Sequence, residues 1–293
     1  MSMHILLQII VSGILLGGIY ALISIGLNLI FGVIKIVNLA HGDFLMLGMY
    51  GTFFLFTLYK VNPYLSTLII FPLFLVLGIV IFQLMIKPLL GKRETEVNTI
   101  LASAGLGYVL QNLALMMWKS DFRAIETALT GKSIKIAGLM LSSTRLWAFV
   151  ICVIVALLLY YILMKTKLGA NIRAVSQDTD AATLMGINVN MIYTLTFAAG
   201  IGLVGIAGCI IMPIFNVYPT VGTYFNTLAF VIVVLGGLGS FTGALVGGLI
   251  IGLVETFAGV MASAELAQVF SLLLFLIILF VKPEGILGKA ARV

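Results

Sequence analysis

Apolar residues run along this chain in long continuous blocks, near 5–31, 43–59, 64–86, 98–118, 145–164, 191–215, 224–240, 242–262 and 266–281. A block of about 20 apolar residues rises far enough as an α-helix to cross a hydrocarbon core of about 30 Å. The blocks do not alternate in and out over about ten residues, as the strands of a membrane barrel do. The pattern therefore predicts an all-α polytopic membrane protein, with 1–293 as a single transmembrane domain. The seventh and eighth blocks are separated only by "GGLGSFTG" (236–243), so the count of transmembrane helices is eight or nine. The first block lacks a preceding Lys or Arg and is too long for a signal-peptide core, so it reads as a retained first span. Pro72 inside the third block and Pro213 near the end of the sixth each remove a helical hydrogen bond and can bend their helices.

Composition sharpens this reading. Only 9% of the residues are charged and 62% are hydrophobic, whereas a soluble protein carries about 25% charged residues. Glycine is plentiful, with 31 residues, many inside apolar blocks, as expected where helices associate in lipid through close backbone approach. The net charge of +6 fits basic flanks of membrane helices and gives no reason to invoke nucleic acid. Cys152 and Cys209 both lie in apolar blocks and read as small packing residues.

Nine spans place the termini on opposite sides. With the C-terminus inside, ten basic residues fall on the inner side (Lys35, Lys87, Lys92, Arg93, Lys165, Lys167, Arg173, Lys282, Lys289 and Arg292) and six on the outer side. The bias favours an outside N-terminus and a cytoplasmic C-terminus. It leaves 118–145 as an extracytoplasmic loop, although Lys119, Arg123, Lys132 and Lys135 lie in it. Within this loop "SIKIAGLML" alternates in part and suggests a small hairpin. The loop is either a connector at headgroup level or a docking surface for an external partner.

The polar residues within the blocks are few. "NLAHGDF" places Asn38, His41 and Asp43 at the junction of the first two spans. Asn38 or Asp43 can cap a helix start; alternatively the group lines a passage, since an ionised residue at mid-bilayer usually faces a cavity or a partner. Glu255 follows Gly243, Gly247, Gly248 and Gly252, whose spacing marks close-packed helix faces, so its carboxylate should point inward. It is either a hydrogen-bonding node or a border of the same route. "IVNLAHGDFLMLGMYG" (36–51) and "GGLGSFTGALVGG" (236–248) both interrupt apolar sequence with glycine and polar residues. Paired interruptions of this kind point to a transporter with an internal repeat.

Catalytic signatures are missing. "TGKS" (130–133) has Glu126 where a phosphate-binding loop needs its first glycine. With only His4 and His41 in the chain, general acid–base chemistry is poorly supplied. An enzyme is disfavoured.

One compact polar segment, "GANIRAVSQDTDAATLMGIN" (169–188), lies between two strongly apolar blocks. Ser176, Asp178 or Thr179 can cap a helix, and Asp178 and Asp180 suit its positive end. Ala181, Ala182, Leu184 and Met185 favour helix, and Gly186 supplies a stop. One short helix results, too short to be stable without a partner.

This segment resembles part of a known family. "DAATLMGI" (180–187) is similar to the E-A-A-x3-G loop of ABC importer permeases, with Asp180 in place of Glu. "GLNLIFGVIKIVNLAHGDFLMLG" and "LGGLGSFTGALVGGLIIGLVE" resemble two further signatures of the branched-chain amino acid permease family of the LivH type, and the resemblance runs from about residue 10 to 285. It implies that 165–190 is a cytoplasmic coupling loop docked on an ATPase subunit, with Arg173, Asp178, Asp180, Ala181, Ala182 and Gly186 at the contact. It also implies a bacterial inner (cytoplasmic) membrane complex with a second homologous permease, two ATP-binding subunits and an extracytoplasmic substrate-binding protein. ATP and Mg would then be held by the partner subunits and no cofactor by this chain. Similar permeases handle urea or short amides, which is the nearest alternative. An ion-coupled secondary transporter using Asp43 and Glu255 is a more distant one.

Overall fold

The computed structural model describes residues 3–136 and 138–288. It contains the helices α1 (Met3–Ile34), α2 (His41–Tyr59), α3 (Thr67–Ile81), α4 (Thr95–Trp118), α5 (Ser143–Lys165), α6 (Lys167–Gln177), α7 (Thr179–Leu184), α8 (Val189–Ile211), α9 (Val221–Gly236), α10 (Phe241–Met261) and α11 (Ala264–Val281). A hairpin of β1 (Ser133–Ile136) and β2 (Leu139–Ser142) precedes α5. Each of the nine apolar blocks contains one long helix, with ends shifted by a few residues. Six of these helices are long and apolar enough to cross a membrane, and α9 and α11 are shorter apolar helices.

The break at 236–243 is real. Gly237 and Gly239 have φ of 105° and 81°, a region L side chains rarely enter. α9 therefore stops at Gly236, and the Ser240 hydroxyl caps α10 by accepting from the Gly243 N–H at 3.1 Å. Asn28 of α1 holds this turn, donating to the Ser240 carbonyl at 2.5 Å and accepting from the Gly239 N–H at 2.6 Å.

The core is built on α1, α2, α8, α9 and α10, with α8 buried along most of its length. Backbone proximity explains the glycines. A Cβ on Gly17 would lie 2.7 Å from the Leu249 Cα, and one on Gly248 would lie 2.6 Å from the Ala21 Cα. Thus α1 and α10 meet backbone to backbone, the contact small residues permit in lipid. On the opposite side of the core a Cβ on Gly208 would sit 2.6 Å from the Leu45 carbonyl oxygen, pressing α8 against α2. α4 and α5 keep large apolar side chains such as Leu101, Tyr108, Leu157 and Tyr161 exposed, as a lipid-facing surface requires.

Pro72 lies within α3, which continues as a π-helical turn (Phe82–Ile86) and a 3₁₀ turn (Lys87–Leu89). Pro213 lies just beyond α8 and ends that helix instead of bending it.

Two loop clusters mark the two ends of the bundle. At one end, His4 Nε2 hydrogen-bonds the Gly138 carbonyl at 2.7 Å, and Gln8 both donates to and accepts from the Met140 backbone. The hairpin and the start of α1 therefore share a side. Arg123 of the same loop pairs through its backbone with Val217 and places its guanidinium over the rings of Phe53 and Phe54. At the other end the chain after α11 returns to the α9–α10 turn, where the Ile286 and Leu287 N–H groups donate to Leu235 and Gly236.

Candidate functional site

The 165–190 loop forms two helices where the sequence suggests one. Thr166 starts α6, its hydroxyl accepting from the Gly169 N–H at 3.1 Å. Ile172 and Val175 are buried on one side of α6, and this apolar edge anchors the helix on the bundle. The first helix forms because this apolar edge lies upstream of the Asp178 cap.

α7 matches its local signals closely. Asp178 is the cap: its Oδ1 accepts from the Asp180 and Ala181 N–H groups, both at 2.9 Å. Ser176 instead donates to the Arg173 carbonyl, and Thr179 to the Val175 carbonyl. Gly186 has φ 79°, and the Gly186 and Ile187 N–H groups donate to Thr183 and Ala182. That pair of bonds is a Schellman closure. Ala182 is buried beneath the helix while Asp180 and Ala181 face out. Leu184 and Met185 are 88% and 82% exposed, although they stand in a polar loop at the end of the bundle. Arg173 points the other way, its Nη1 donating to the Leu163 carbonyl at the end of α5.

Asn38, His41, Asp43 and Glu255 are all buried, but they separate into distinct settings. Asn38 makes a turn before α2, accepting from the Ala40 N–H at 3.1 Å. His41 Nε2 bonds the Ile23 carbonyl of α1 at 2.9 Å. Asp43 lies in the first turn of α2 and makes no cap. Its Oδ1 accepts from Gln111 Nε2 of α4 at 2.8 Å, and Gln111 also donates to Thr223 Oγ1 of α9 at 3.2 Å. Gly107 and Gly222 leave room for this carboxylate, since a Cβ on either would approach its oxygens to 2.5 or 2.6 Å. Glu255 lies on α10, where Oε2 accepts from Tyr20 Oη of α1 at 2.7 Å, with the Tyr224 and Ser271 hydroxyls nearby.

Four partners in this network carry no sequence signal as partners: Tyr20, Thr223, Asn226 and Ser103. Gln111 and Ser103 stand out only as polar residues of the weakest apolar block. They are eight positions apart on α4 and both reach the start of α2, where Ser103 Oγ accepts from the Leu39 N–H at 3.1 Å. Asn226 Oδ1 accepts from the Gly42 N–H at 3.3 Å. The polar network therefore runs from Asp43 through Gln111 to Thr223, which is exposed on α9.

The bundle thus holds a buried polar network among glycine-packed helices and, separately, a capped helical loop. Residues 9–279 match the family model described as branched-chain amino acid transport system / permease component. The chain belongs to this family. It is a membrane permease. Among its relatives, the high-affinity branched-chain amino acid transport system permease protein BraD of Pseudomonas aeruginosa is 31% identical over 299 residues, covering 97% of this chain and 96% of that protein. LivH of Salmonella typhimurium, with the same description, is 29% identical over 97% of this chain and 96% of its own length. A probable LivH of Methanocaldococcus jannaschii is 26% identical over 96% of this chain and 92% of that protein. No solved structure matches the chain. Family membership makes the chain a multi-pass permease subunit, in keeping with its helical architecture.

Proposed function

We propose that this chain is the permease subunit of an ATP-driven importer that carries branched-chain or other hydrophobic amino acids across the cytoplasmic membrane. Two ATP-binding subunits on the cytoplasmic side hydrolyse ATP with Mg. A second homologous permease completes the passage, and an extracytoplasmic binding protein delivers the substrate. In this reading the 118–145 loop is extracytoplasmic, and the C-terminus lies with 165–190 in the cytoplasm.

One observation carries the reading: Leu184, the last residue of a six-residue helix, and Met185 just after it stand exposed, on a helix closed at both ends by local hydrogen bonds. So short a helix gains little stability alone, and its exposed apolar pair needs a cover. An ATPase subunit supplies it, with Asp178, Asp180, Ala181, Ala182 and Gly186 shaping the contact and Arg173 fixing α6 to α5. ATP binding then moves this lever and biases the bundle between outward- and inward-facing states. Of Asn38, His41, Asp43 and Glu255, Asp43 is the one linked to an exposed residue, through Gln111 to Thr223, and we assign the passage wall to its crevice with Gln111 and Thr223. His41 and Glu255 serve by joining helices, and Asn38 by shaping the turn before α2.

The test is co-purification from native membranes with ATPase and uptake assays. Leu184→Asp with Met185→Asp should abolish recovery of the ATP-binding subunits while the permease stays folded. Recovery at the wild-type level would sink the lever assignment. Stimulation of ATP hydrolysis by leucine, isoleucine or valine with the binding protein supports the substrate class; stimulation by urea or a short amide instead replaces it.

A further inference from the structure

A cavity of about 500 Å³ opens between the end of α1, the end of α5, the second half of α6 and the α9–α10 turn. Lys35 and Arg173 stand on its wall with Asn28, Gln177 and Ser240, and among the described residues none that lines it is acidic. The remaining wall is apolar, including Leu163, Met164 and Phe241. Lys35 is exposed at φ 61° directly after the last residue of α1. Arg173 donates through Nη1 to the Leu163 carbonyl, and its guanidinium lines the cavity. Because the cavity sits where membrane helices end, its position is the boundary between acyl chains and headgroups. Met164 and Leu238, at its edge, are 43% and 46% exposed, so the opening is itself apolar.

Two cations, several hydrogen-bond donors, no acidic side chain among the described residues and an apolar mouth match one ligand chemistry. We propose that this cavity binds an acidic phospholipid, with its phosphate against Lys35 and Arg173 and its acyl chains leaving past Met164 and Leu238. Basic pockets between membrane helices hold acidic headgroups in this way, each nearby Lys or Arg adding to the attraction. A free phosphate would satisfy the cations and leave the apolar mouth unused. The bound lipid bridges α1, α5 and α6, so it braces the second half of α6 on the bundle. The proposal does not depend on the substrate or on the identity of the cytoplasmic partner.

The purified permease, with whatever subunits accompany it, would be delipidated and titrated with phosphatidylglycerol, phosphatidylcholine or inorganic phosphate. Occupancy is read by native mass spectrometry and by the thermal midpoint. Phosphatidylglycerol should bind one per chain and raise the midpoint, while phosphatidylcholine and phosphate should not. Lys35→Gln should weaken phosphatidylglycerol about fivefold, and Lys35→Arg should restore it. Met164→Trp, which narrows the mouth without adding charge, should also lower occupancy. Equal binding of phosphatidylcholine, an equal effect of phosphate alone, or unchanged binding in both Lys35→Gln and Met164→Trp would each overturn the proposal.

Discussion

Tyr20 Oη donates to Glu255 Oε2 at 2.7 Å across 235 positions of sequence, joining α1 to α10 inside the bundle. The other carboxylate oxygen, Oε1, accepts no hydrogen bond among the described residues. Tyr20 is thus a direct hydrogen-bond donor to a buried acidic group, with the Tyr224 and Ser271 hydroxyls close by. Tyr20→Phe removes the donor and keeps the ring, and should cost about 1–3 kcal/mol, seen as a lower thermal midpoint in detergent. Glu255→Gln keeps an acceptor for Tyr20 and should lie closer to wild type. A Tyr20→Phe protein as stable as wild type would show that the bond does not hold these helices.

The same helix pair depends on glycine in a way that can be tested separately. A Cβ on Gly248 would meet the Ala21 backbone at 2.6 Å, whereas one on Gly259 of the same helix would meet nothing within 4 Å. Gly248→Ala is thus an overpacking change, expected to cost about 1–3 kcal/mol. Gly259→Ala is expected to be close to neutral. Comparing the yield and thermal midpoint of the two variants isolates the contact between helices from any general effect of replacing glycine.

These two cases show what sequence can and cannot convey. The spacing of Gly243, Gly247, Gly248 and Gly252 marks a close-packed face because a small residue is visible wherever it stands. Which helix meets that face depends on three-dimensional topology, and Tyr20 gives no hint of its partner. Asp178 and Gly186 are legible because a cap and a stop act within a few residues of themselves. The 133–142 hairpin is legible from its alternation for the same reason. α6 is missed because its buried edge, Ile172 and Val175, is only two residues within a segment that reads as polar. Asp43 looks like a cap from its place at the start of α2, yet its side chain turns to Gln111. The glycines at 107 and 222 that make this turn possible lie on two other helices.

The cap of α7 yields a third expectation. Asp178→Ala leaves the Asp180 and Ala181 N–H groups without their acceptor and should cost about 1 kcal/mol of local stability. Asp178→Asn keeps an acceptor oxygen in the same place. Amide exchange across 178–187 should speed up in the alanine variant and stay near wild type in the asparagine variant. If coupling to an ATPase runs through a formed α7, ATP hydrolysis in the assembled complex should follow the same order. Equal exchange in both variants would remove the cap from the account of this helix.

Asp43 allows the sharpest separation of charge from shape. Its two oxygens lie so near Gly107 and Gly222 that a single added carbon on either would approach them to 2.5 or 2.6 Å. Asp43→Glu therefore adds a methylene where none fits, and overpacking of this kind costs about 1–3 kcal/mol. Asp43→Asn keeps the volume, and a flipped amide can still accept from Gln111. The asparagine protein should fold with a midpoint near that of wild type, while the glutamate protein should be less stable despite keeping its charge. Uptake then separates the roles: if the carboxylate faces the passage, Asp43→Asn transports poorly although it folds, and Gln111→Ala, which frees the same carboxylate, alters uptake as well. Normal uptake in a stable Asp43→Asn protein would leave Asp43 as a link between α2 and α4 and move the passage wall away from this crevice.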